Sequence, residues 1–127
     1  MIQPQELRIG NYVEYNGEII KLDGSLLCCY IQNELDYPFN EVPLTEEILL
    51  KFGFNEVEGE RWCNMHEDFE ECNYYYLSMF KIYYNPETDR FEDDSLYHFN
   101  VNLKYVHQLQ NLFYITTGQD LPIKNNP

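Results

Sequence analysis

The chain has 127 residues, 44% of them apolar and 17% aromatic, which supports a folded protein with one hydrophobic core and predicts a single domain over residues 1–127. Eight basic against twenty-two acidic residues give a formal charge of −14, which repels phosphates and anionic lipid and so speaks against direct nucleic-acid or membrane binding.

Met1 is followed by Ile2, Gln3, Pro4, Gln5 and Glu6, without the basic start and apolar run of a secretory signal, so a cytoplasmic setting is expected. No apolar stretch approaches the roughly 20 residues of a membrane helix. In that setting Cys28, Cys29, Cys63 and Cys72 are expected as reduced thiols.

From Tyr12 to Leu22 the run YVEYNGEIIKL places Asn16-Gly17 between two β-rich halves, which predicts a two-residue hairpin. Asp23-Gly24 ends the second strand, and LLCCYI (Leu26 to Ile31) has the length and bulk of a third. Three successive strands predict an N-terminal β-meander or small barrel over residues 1–43.

In LTEEILLKFGF, Thr45 predicts a cap, Glu46 and Glu47 suit the positive end of a helix dipole, Leu44 can staple onto Leu49, and Gly53 supplies the stop. So short a helix depends on packing by Ile48, Leu49 and Phe52. FNEVEGERWC predicts a hairpin turning near Glu58-Gly59. YYYLSMFKIYY, Tyr74 to Tyr84, predicts one long tyrosine-rich strand ended by Asn85-Pro86, and RFEDD and LYHFNV predict shorter return strands.

The last predicted element is a helix capped by Asn102 and stopped by Gly118, with Leu103, Val106, Leu109, Leu112, Phe113 and Thr116 on one side. At about 15 residues it spans roughly 22 Å, enough to cross one face of a sheet. His107, Gln108, Gln110 and Asn111 are expected mostly on its flank or solvent side. The predicted fold class is therefore α+β: an N-terminal β-meander or small barrel, then, over residues 44–127, a short helix, an antiparallel tyrosine-rich sheet and a C-terminal helix packed on it.

Three stretches in this order, LRIGNYV (Leu7 to Val13), PLTEEILLKFGF (Pro43 to Phe54) and YVHQLQNLFYITTG (Tyr105 to Gly118), resemble a group of small uncharacterised proteins of gut anaerobic bacteria, their prophages and mobile elements. The resemblance implies a bacterial or phage origin and a cytoplasmic setting, and it assigns no catalytic residue. The acidic stretch Val57 to Cys72 and the cysteine positions lie outside the resembling pattern.

Among chemistry-bearing groups, Cys63 and His66 have C-x2-H spacing and Cys72 follows, leaving Cys28, Cys29 or His98 to complete a zinc set. The usual paired knuckles are missing and buried thiols are common as small apolar residues, so no metal and no cofactor are expected. Asp89, Glu92, Asp93 and Asp94 lack the alternating oxygens and central Gly of an EF-hand. Ser25, Ser78 and Ser95 lie in no G-x-S-x-G context, and neither a P-loop nor H-E-x-x-H occurs, so no catalytic residue is expected.

The acids remain. Residues 54–100 carry twelve acidic and three basic groups, a local balance of −9. On a regular strand Glu56, Glu58 and Glu60 would share one face about 6.6 Å apart, close to twice the roughly 3.4 Å phosphate interval along one DNA strand. Glu67, Asp68, Glu70 and Glu71 extend the field. These seven residues are the candidate partner-binding set. They point to a non-enzymatic module that meets a protein with a basic surface, such as a host nuclease or other nucleic-acid-binding defence protein. The competing expectations are a small metal-binding or hydrolytic protein, and a solvated acidic face that only maintains solubility.

Overall fold

A computed structural model of the chain describes residues 1–61, 71–77, 80–85, 90–93 and 102–127. The architecture is α+β. Its contacts form two compact units, one from Met1–Leu44 and Tyr105–Leu121, the other from Thr45–Lys104 and Pro122–Pro127.

The first unit opens with a 3₁₀ turn at Pro4–Glu6, followed by β1 (Tyr12–Tyr15) and β2 (Glu18–Lys21). The expected hairpin is present: Tyr15 faces Glu18, and Asn16 and Gly17 take φ of 49° and 83°, the left-handed pair that a type I′ turn demands. Where a third strand was expected, the chain forms helix α1 (Gly24–Ile31). Its cause is local, because the Asp23 carboxylate accepts the Leu26 N–H at 2.8 Å and caps the first turn. Leu26, Leu27 and Tyr30 then pack against the buried cluster Ile2, Leu7, Val13, Leu22 and Phe39.

The third strand is instead β3 (Phe39–Asn40), which pairs with β1 on the side away from β2 and gives the order β2-β1-β3. Helix α3 (Val106–Thr117) completes this unit and contacts β1. It starts later than its apolar repeat suggested, because Asn102–Leu103 is extended and the cap position falls to Tyr105, whose N–H donates to Gln108 Oε1 at 3.1 Å. Gly118, at φ 73°, stops it as expected. Val106, Leu109, Leu112 and Phe113 are buried.

In the second unit, helix α2 (Glu46–Lys51) has the expected termini: Thr45 Oγ1 accepts the Ile48 N–H at 3.2 Å, and Gly53 adopts φ 97°. Leu49 and Phe52 are fully buried. A five-stranded antiparallel meander follows in chain order, β4 (Asn55–Arg61), β5 (Glu71–Leu77), β6 (Phe80–Asn85), β7 (Arg90–Asp93) and β8 (Asn102–Leu103).

Two sequence expectations change here. The predicted turn at Glu58-Gly59 is absent, since β4 runs through it as one strand with a register shift between Val57 and Glu60. Glycine inside a strand commonly marks such a bulge. The predicted long strand over Tyr74 to Tyr84 is a hairpin, in which β5 and β6 pair with Leu77 opposite Phe80. A single strand of eleven residues would extend roughly 36 Å, whereas folding back pairs Tyr74 with Tyr83 and Tyr75 with Ile82. RFEDD supplies β7 as expected, and LYHFNV lies outside the described residues. Tyr75, Ile82, Phe91 and Leu103 are buried on one face of the sheet, with the Tyr75 and Phe91 rings edge to face at 5.8 Å. Among the described residues no helix is long and apolar enough to cross a membrane.

Candidate partner-binding surface

Of the seven candidate acids, Glu56, Glu58 and Glu60 lie on β4 and Glu71 opens β5, while Glu67, Asp68 and Glu70 lie outside the described residues. The register does not keep the three β4 acids in step. Glu56 stands opposite Tyr75 and Val57 opposite Tyr74, but Glu60 stands opposite Cys72 and Arg61 opposite Glu71. An unbroken ladder would have set Glu60 against Glu71, so β4 carries one extra residue between Val57 and Glu60. Glu56 therefore takes the row of buried Tyr75 and Ile82 and is itself half-buried. The unbroken register on which an evenly spaced row of acids depends is thus interrupted between Val57 and Glu60. The charge itself is unchanged, and Arg61 is set against Glu71 at one register pair.

The polar strip of α3 also differs from expectation. Gln110 is 6% exposed, and both ends of its amide are engaged: Oε1 accepts the Tyr12 N–H at 2.9 Å and Nε2 donates to the Gly10 carbonyl at 2.9 Å. Asn111 Nδ2 donates to the Glu6 carbonyl at 2.8 Å, and its Oδ1 accepts from Asn11 Nδ2 at 3.0 Å and Arg8 Nε at 3.4 Å. Asn11 Oδ1 in turn accepts the Arg8 N–H at 2.7 Å. Arg8 pairs with Asp120 at 2.9 Å and lays its guanidinium 4.2 Å above the Tyr114 ring. These groups form a clasp between the loop before β1 and α3, so Gln110 and Asn111 are structural. The signal was present in the sequence: Gln110 follows Val106 by four residues and precedes Phe113 by three, which places it on the apolar stripe.

His107 is buried at 1% exposure beside the Tyr105 ring, stacked at a centroid distance of 6.0 Å. Neither ring nitrogen has a hydrogen-bond partner among the described residues. Burial lowers its pKa below the usual histidine value, and the carboxylates of Glu6 and Glu41 pull it back up to a smaller extent. Cys28 is an exposed free thiol and Cys29 a half-buried one. Cys63 and His66 lie outside the described residues, and among those described no three ligating side chains gather.

Comparison with protein families, with curated proteins and with solved structures returns no match to this chain.

Proposed function

We propose that this protein is a non-enzymatic acidic binding module that docks on a basic, nucleic-acid-binding protein of a bacterial host and inhibits it by competing for its nucleic-acid groove. One observation carries the proposal: residues 54–100 hold twelve acidic against three basic groups, on a segment that includes a five-stranded meander's first four strands. The bulge in β4 interrupts the even register of the strand that carries Glu56, Glu58 and Glu60. It leaves electrostatic steering intact, because a field acting over a Debye length of about 8 Å depends on summed charge more than on register. The motif resemblance supplies the prophage or mobile-element setting, in which a defence protein is the natural target.

The test is retention of bacterial lysate proteins on the immobilised chain at rising salt, with and without a short duplex DNA competitor. The expected result is a basic protein held at low salt, released as salt rises and displaced by duplex. Replacing Glu56, Glu58 and Glu60 together by Gln should slow association with that protein while leaving the fold intact. Retention indifferent to both salt and duplex would overturn the proposal. Stoichiometric zinc in the purified protein would favour the competing metal-binding reading instead.

A further inference from the structure

Helix α1 is apolar on nearly every side, in the sequence GSLLCCYI, yet none of its eight residues is buried. Such a helix normally lies inside a protein. Leu26 and Tyr30 turn toward the core cluster of the first unit. Leu27 also packs there, and beside it Gly24, Cys28 and Ile31, at i, i+4 and i+7, form a stripe in which all three are exposed, Ile31 at 61%. Ile9, 63% exposed, lies over the start of this stripe, its Cδ1 3.5 Å from where a Cβ on Gly24 would sit. The stripe is thus a low floor, Gly24 to Cys28, between two isoleucine ridges, about 10 Å long at the helical rise.

Its ends are acidic. Asp23 caps the helix at one end. At the other, the chain turns at Asn33 (φ 60°), the Glu34 N–H donates to the Cys29 carbonyl at 2.9 Å, and Asp36 follows. Asp23, Glu34 and Asp36 are exposed, and no basic residue lies between Asp23 and Asp36. The nearest in sequence is Lys21, on β2.

We infer that the α1 stripe, bounded by Ile9 and Ile31, is a docking site for one or two turns of a partner protein's helix that carries apolar residues flanked by Lys or Arg. Charge complementarity selects this occupant. A second copy of the chain would set Asp23, Glu34 and Asp36 against the same acids in a molecule of net charge −14. An anionic lipid surface is repelled for the same reason. Apolar anchors at i, i+4 and i+7 are the ordinary way a helix fills a groove of this length. The inference shares with the proposed function only the basic sign of the partner, and it concerns a different surface, on the first unit.

The test uses the full chain and two short synthetic peptides of equal positive charge, a Lys/Leu amphipathic helix and a Lys/Ser sequence with no apolar face. The Lys/Leu peptide should bind more tightly and shift the amide resonances of α1 and Ile9. Ile9→Ser and Ile31→Ser, both at exposed positions, should each weaken it by roughly three- to tenfold and leave Lys/Ser binding unchanged. Equal affinity for the two peptides, or affinities unmoved by both substitutions, overturns the site. So does a dimer of the chain abolished by Ile31→Ser, which would make the occupant a second copy. Binding to zwitterionic vesicles that depends on Ile31 would assign the stripe to lipid and likewise overturn it. Because the peptides replace the native partner, these outcomes do not depend on the lysate experiment.

Discussion

Gln110→Ala tests whether the clasp between α3 and the loop before β1 holds the first unit together. The substitution removes the acceptor of the Tyr12 N–H and the donor to the Gly10 carbonyl, both at 2.9 Å. Each neutral hydrogen bond contributes about 0.5–1.5 kcal/mol net, and the lost methylene contributes about 0.8 kcal/mol. Tyr12 is buried, so the loss there is felt nearly in full, while half-buried Gly10 can recover part of its loss from water. The expected destabilisation is therefore roughly 2–4 kcal/mol, or a fall in Tm of roughly 6–15 °C for a chain of this size. Urea and thermal unfolding followed by circular dichroism measure it. Ile115→Ala, at an exposed position of the same helix, is the control and should stay within about 0.5 kcal/mol. Gln110→Leu separates bonding from volume, since it refills the space without either bond and should remain destabilised. If Gln110→Ala matches the Ile115 control, or if Gln110→Leu restores wild-type stability, the clasp is not held by these bonds.

Leu109→Ala, at a fully buried position of α3, should cost on the order of 2–4 kcal/mol, read as a lower urea midpoint at unchanged m-value. For His107, burial depresses the folded-state pKa below the ordinary 6.5, so between those two values the unfolded chain binds the extra proton. Its contribution is flat above about pH 6.5–7 and stability falls as pH drops through that value, by at most about 1.4 kcal/mol per pH unit. His107→Leu should flatten this part of the stability profile relative to wild type, and identical slopes between pH 6.5 and 5.5 would refute the assignment.

The parts legible in the sequence are those where neighbouring residues decide the outcome. Asn16-Gly17 fixes its hairpin through two positive φ angles, and Thr45 with Gly53 fixes α2 through a cap and a left-handed stop. Where pairing at a distance decides, composition misleads. Leu26 to Ile31 has the bulk of a strand, but one carboxylate on Asp23 starts a helix there. The tyrosines of β5 and β6 suit a long strand equally well, yet the backbone folds back and sets Tyr74 opposite Tyr83. Glu56, Glu58 and Glu60 alternate in sequence, yet a bulge that no local residue besides Gly59 announces shifts the strand register between Val57 and Glu60. Gln110 was misplaced because amides on a helix suit water and a buried backbone equally, and the backbone that claims this one lies about a hundred positions away.

The same long-range contacts explain how one chain can separate scaffold from charge. Pro43 and Tyr105 form an antiparallel bridge, and the Val106 N–H donates to the Val42 carbonyl at 2.9 Å. The residues that flank the segment Thr45–Lys104 are therefore adjacent within the first unit. The clasp closes through Arg8, Asn11, Gln110 and Asn111, none of which belongs to that segment. Two of the three resembling stretches, LRIGNYV and YVHQLQNLFYITTG, supply this clasp, while all twelve acids from 54 to 100 lie outside all three. Every group of the clasp thus belongs to the first unit, and none of the twelve acids from 54 to 100 takes part in its hydrogen bonds.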